Sequence, residues 1–174
     1  NKLAHVSGST IRDANGNQAV ITHGTTAANS FAIDAVASIA TLAITSNAGS
    51  DNTYKLGDAV QVTATFAQGS YPTENITVTG TGANGPYVNL NIGGVLRSAY
   101  YKSGCGSSAI VFEYIVGAND NDTSGITLNA NALALGNGNL ADAAGNVVSL
   151  LTTAVTASAT SHIVDSTAPT LTIS

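Results

Sequence analysis

Apolar and polar residues alternate with a period of two along much of the chain. Val60, Val62, Ala64 and Phe66 fall on one side of a strand, with Gln61, Thr63 and Thr65 on the other. Val88, Leu90 and Ile92 alternate with Asn89 and Asn91, and Ile110, Phe112, Tyr114 and Val116 form a core face opposite Val111, Glu113 and Ile115. Such a pattern sets one side against a core and the other toward water, as antiparallel sheets do. Further short strands are predicted at 39–45, 75–79, 95–101, 126–128, 132–135 and 147–157. Ile92-Gly-Gly-Val95 reads as a two-residue hairpin turn, because Gly-Gly supplies the positive φ such turns need. The one helical candidate, Thr26 to Ala32, lacks a 3.6-residue face. The pattern predicts an all-β chain folded as an antiparallel two-sheet sandwich.

The end of the chain repeats its beginning. Asn1-Lys-Leu-Ala returns as Asn131-Ala-Leu-Ala, Asp13-Ala-Asn-Gly-Asn17 as Asp142-Ala-Ala-Gly-Asn146, Ala32-Ile-Asp34 as Ile163-Val-Asp165, and Leu42-Ala-Ile as Leu171-Thr-Ile. The offsets stay between 129 and 131 residues. Self-similarity at a fixed period marks an array of units. The reading that follows has three parts: residues 1–37 as the back of a preceding repeat or a strand-exchanging arm, 38–164 as one complete repeat, and 165–174 as a linker and first strand of the next. The N-terminal segment is thereby an incomplete second unit. Pro169 makes the lead-in stiff by removing a backbone donor and holding Ala168 extended.

Composition narrows the class. Of 174 residues only 9% are charged, against a usual quarter, so Thr, Ser, Asn and Gly must solvate the surface. That balance suits an extracellular or cell-surface protein. Five basic residues and a net charge of −5 leave no basic patch, which argues against nucleic acid. No apolar run approaches the ~20 residues of a membrane-spanning helix. Cys105 stands alone in Ser103-Gly-Cys-Gly-Ser107 and reads as a small residue in a tight turn. The sequence opens on Asn1 rather than Met, as a processed chain or an excised fragment would.

Several pieces in fixed order resemble the tandem Ig-like (cadherin-like) repeats of giant bacterial surface adhesins. They are Tyr54-Lys-Leu-Gly-Asp58, Asn75-Ile-Thr-Val-Thr-Gly80, Leu90-Asn-Ile-Gly-Gly94, Tyr100-Tyr-Lys-Ser-Gly104, Val111-Phe-Glu-Tyr114, Gly117 to Ile126 and Asp142-Ala-Ala-Gly-Asn146, closed by Asp165-Ser-Thr-Ala-Pro169. Together they cover most of residues 39–174. The stretch Phe66 to Glu74 is longer than the family's usual step between strands, and Cys105 stands where the family has Ser or Gly. The resemblance implies that the two-sheet sandwich is Ig-like, with a structural or adhesive role and calcium near the junctions between repeats.

The residues offer little catalysis. His5, His23 and His162 have no partner in a triad or zinc motif, and the two Glu residues, Glu74 and Glu113, lack an aromatic platform. No enzymatic activity is expected. Asn119-Asp-Asn-Asp-Thr-Ser-Gly125 is the one dense run of oxygen ligands. Asp120 and Asp122, with Asn119 assisting, fit either a shared Ca²⁺ or an Asx-turn loop without metal. Asp34 and Asp165 recur at the unit boundary and fit either an ion bridging two units or a strand cap. Asp13 and Asp142 belong to hairpin turns, with Gly in the left-handed position. One of Tyr100 and Tyr101 faces the core and the other faces out, where a sugar or neighbour could touch it.

These readings converge on a non-enzymatic structural or adhesive module of an extracellular tandem-repeat surface protein, stiffened by calcium at its joints. Its expected partners are neighbouring repeats or copies of itself, with a surface glycan or protein as a further target. The alternative is a subunit of a self-assembling filament or sheath, held together by strand exchange between copies.

Overall fold

The computed structural model describes residues 14–17, 39–67, 74–150 and 162–173. The chain divides into two compact units, Asn1–Ile33 and Asp34–Ser174. Eleven strands and one 3₁₀ turn are described, all in the second unit: β1 (Ile39–Ile44), β2 (Thr53–Tyr54), β3 (Ala59–Ala67), β4 (Thr77–Thr79), β5 (Tyr87–Ile92), β6 (Val95–Ser103), β7 (Ala109–Ile115), β8 (Asn121–Asp122), β9 (Thr127–Ala134), β10 (Asn139–Ala141) and β11 (Ile163–Asp165). No α-helix occurs among the described residues. The expected all-β, largely antiparallel architecture is what forms.

One layer is a six-stranded antiparallel sheet in the order β1-β3-β7-β6-β5-β9. The opposing side is built from two small sheets, β10-β4 and β2-β11-β8. The core lies between them. Val60, Val62, Ala64 and Phe66 from β3 and Ile110 and Phe112 from β7 are fully buried beside Val88 and Leu90 of β5. Ile76, Leu140, Tyr54 and Val164 close the core from the other side. Every alternating face read from the sequence points as expected. Tyr101 packs against the core, while Tyr100 is half-buried on the outer face against Tyr87, ring centroids 6.0 Å apart.

The Ile92-Gly-Gly-Val95 turn closes β5 onto β6 with Ile92 opposite Val95. Both glycines hold positive φ, 57° and 85°. Two expectations change in detail. The predicted strands at 126–128 and 132–135 are one strand, β9, with a register shift against β5 between Val88 and Leu90 and a left-handed Asn131. A bulge rather than a loop absorbs the extra residues. The strand expected at 147–157 is represented among the described residues by isolated bridge positions at Val147 and Ser149, and 151–157 lie outside them.

Register fixes where the chain enters and leaves the second unit. β1 starts beside Ala67, at the end of the sheet where β7 begins. β11 runs antiparallel to β8, so that Asp165 stands opposite Asn121, just past the far end of β7. Seven residues of β7 separate these ends by roughly 20 Å. Entry and exit lie at opposite poles.

Candidate functional site

The exit pole holds the densest polar arrangement among the described residues. Its backbone comes from the loop between β7 and β8, which turns at Gly117, where the Asp120 N–H donates to the Gly117 carbonyl. Asn119 takes φ of 70°, a left-handed position that Asn tolerates. Arg97 on β6 and Tyr114 on β7 stand on core-facing register positions, opposite Leu90 and Val60, and reach the loop from inside the sandwich.

Asp120 is buried within this ring. Its Oδ1 lies 2.7 Å from both Nε and Nη2 of Arg97. Its Oδ2 accepts from the Tyr114 hydroxyl at 2.5 Å and from the Gly117 N–H at 2.8 Å. Burial alone would raise its pKa, but the Tyr114 and Gly117 bonds and the Arg97 guanidinium outweigh burial and hold the carboxyl below its ordinary value. Burial and the bond to Asp120 together raise the Tyr114 phenol.

Asp122, also buried, serves a second set of donors. Oδ1 accepts from the Ser124 N–H and hydroxyl and from the Gly125 N–H, an Asx turn, while Oδ2 accepts from the Gly93 N–H at 2.8 Å. The opposing contributions are burial, which raises its pKa, and these bonds, which bring it below normal. The glycine at 93 is obligatory by contact as well as by φ: a Cβ there would sit 2.1 Å from the Asn121 carbonyl oxygen. The β5–β6 hairpin tip is thereby pressed onto β8.

The departing chain is tied to the same loop. Ser166 N–H donates to the Asp120 carbonyl at 3.2 Å and to Asn121 Oδ1 at 3.1 Å, and Thr167 Oγ1 donates to Asn121 Oδ1 at 3.1 Å. Asp165 is exposed, and its Oδ1 accepts from the Thr167 N–H, a local turn. Ser166 Oγ is buried without a hydrogen-bond partner among the described residues.

The site thus brings together Asp120, Asp122 and the neighbourhood of Asp165, while the Asp34 expectation lies outside the described residues. Every carboxylate oxygen of Asp120 and Asp122 is engaged by a protein donor, an N–H, an O–H or the Arg97 guanidinium. Among the described residues no group of three or more His, Cys, Asp or Glu is placed to hold a metal. Arg97 and Gly93 escaped the sequence reading because they are far from the Asp run in sequence and meet it only through the sheet register; Tyr114, six residues before Asp120, read only as a core residue of its strand.

Asp142 is buried and closes its turn, with Oδ1 accepting from the Asn146 N–H and Oδ2 from its side-chain amide. Gly145 takes φ of 92° there, and Gly16, at the matching place in the first copy, takes 87°. Residues 14–17 also share the turn pattern of 143–146. Cys105 is exposed in a turn, its sulfur 3.3 Å from the Val78 N–H.

The fold and the polar pole define an all-β, two-layer protein with a braced chain exit. No protein-family model, no curated protein and no solved structure matches the chain. No described helix is long and apolar enough to cross a membrane.

Proposed function

We propose that the chain is a structural, non-enzymatic module of an extracellular tandem-repeat surface protein, one link in a lengthwise series. The observation that carries this reading is the placement of entry and exit at opposite poles of the Asp34–Ser174 unit, with the exit braced. A link of this kind adds its own length to the series, and its brace sets the direction in which the next link leaves. The tail supports the same reading. Leu171 and Ile173 are each 86% exposed, whereas Leu42, their counterpart's apolar anchor in β1, is fully buried and Ile44 packs against the core. An alternating apolar segment left in water is a strand awaiting its sheet.

By register, Leu171 and Ile173 would take the places that Leu42 and Ile44 hold opposite Ala64 and Val62. The test is a chain extended after Ser174 by a second copy of residues 46–174. Amide exchange at 171–173 should become protected in the extended chain, and Leu171→Asp should unfold the added unit while leaving the first intact. Unprotected amides, or an added unit indifferent to Leu171→Asp, would remove the repeat reading. The same exposed tail favours a second reading, in which it completes a sheet in another copy. Sedimentation of the unextended chain separates the two: a monomer supports the series, and concentration-dependent oligomers support exchange.

We infer further that protein groups rather than an ion stiffen the joint at Asp120 and Asp122. Adhesion itself, with a glycan or protein as target, rests on the family resemblance.

A further inference from the structure

We propose that the β2-β11-β8 sheet is a force-bearing latch, and that it sets how the unit resists being pulled end to end. The proposal rests on the lengthwise-series reading, since only such a series loads the unit along this axis. β11 is the last element before the exit, and it pairs parallel with β2 and antiparallel with β8. β2 follows β1 directly, so tension from the entry side draws β2 backward while tension from the exit side draws β11 forward. Parallel neighbours drawn in opposite senses along their own axes are loaded in shear. Every bond across the pair then carries load at once, whereas neighbours drawn apart sideways lose bonds one after another.

β11 is the shorter of the two loaded contacts. β1 holds β3 through six register positions, and β11 holds two on each flank. Yielding therefore begins at β11 unless it is reinforced, and the reinforcements cluster around it. Ile163 N–H donates to the Asn52 carbonyl, and Ile126 N–H to the His162 carbonyl, each at 3.0 Å. His162 stacks on Tyr54 with ring centroids 5.9 Å apart, and Val164 is buried. Asn121 takes both Ser166 N–H and Thr167 Oγ1. Arg97 and Tyr114 grip Asp120, whose carbonyl takes Ser166 N–H, so the anchor of the latch is itself pinned to the main sheet. Nothing in this set serves an opening cleft. All of it opposes the sliding of β11 past its neighbours.

Single-molecule pulling on the full chain with Cys105→Ser tests the latch through two pairs of attachment points. Handles at residues 38 and 174 load the unit lengthwise; handles at Leu96→Cys and Ala144→Cys load it without drawing on β11. Forced rupture is governed by the unfolding rate. Asn121→Ala and Arg97→Gln should each speed lengthwise unfolding about tenfold, the factor that about 1.4 kcal/mol represents, and leave the second geometry within about twofold. Equal acceleration in both geometries would reduce these residues to ordinary stability and overturn the latch. So would no acceleration lengthwise. Neither result bears on tail protection in the extended chain, so the latch can fail while the repeat reading stands.

Discussion

Gly93 shows how one residue can join two elements. Its positive φ is needed for the turn, but Gly94 shares that need and has nothing within 4 Å of where a Cβ would stand. Only Gly93 meets the Asn121 carbonyl. Gly94→Ala should cost about 1 kcal/mol from backbone strain alone. Gly93→Ala adds a backbone clash and should cost about 2–4 kcal/mol, which thermal melting would register as the larger of two drops. Equal drops would mean that the hairpin tip does not bear on β8. The buried carboxylates give a second prediction. Asp120, Asp122 and Asp142 all titrate below their ordinary value in the fold. In the unfolded chain they bind protons near pH ~3.9. Their contribution is complete above that pH and drains away as pH falls through the lower folded values. Denaturant midpoints should therefore be flat from pH 7 to about 5 and fall steeply below about 4, and Asp120→Asn should flatten part of that fall.

At the scale of elements, the long strands were legible and the short ones were not. β3, β5 and β7 declare themselves because each alternates over six to nine residues, with one face buried, wholly in β3 and β5 and up to the half-buried Tyr114 in β7. β2, β8 and β11 are two or three residues long, and no periodicity can develop over Thr53–Tyr54 or Asn121–Asp122. They exist because a neighbour supplies partners. β11 runs through Asp165, which stands opposite Asn121. The polar pole was half legible. The Asn119–Gly125 run advertised a site, and the Asx-turn reading of Asp122 matches its bonds to Ser124 and Gly125. Oxygen-rich composition could not say whether those oxygens face metal or donors. That depends on Arg97, which a register of six pairs between β5 and β6 turns inward toward Asp120.

At the scale of the whole molecule, the proposed series needs the exit of each unit to be held stiffly. An ion at the joint would make stiffness depend on the surrounding calcium; an internal guanidinium makes it constitutive. Arg97 stays charged at any pH the fold tolerates, and its salt bridge to Asp120 is sheltered from solvent on the Asp120 side, whose side chain is 1% exposed. A partly buried pair is screened less by salt than an exposed one, so the brace should depend only weakly on ionic strength. The expected outcome is a melting temperature unchanged, within about 1 °C, when millimolar Ca²⁺ replaces a chelator. Ligand binding to the native state would raise it instead, since a site at a hundred times its dissociation constant adds about 2.7 kcal/mol. For a domain of this size that corresponds to several degrees. A rise of that size persisting in Asp120→Asn would move the ion to Asp165 and the unit boundary. A rise abolished by that substitution would mean that Asp120 trades Arg97 for a metal, and the brace would then be a calcium device after all.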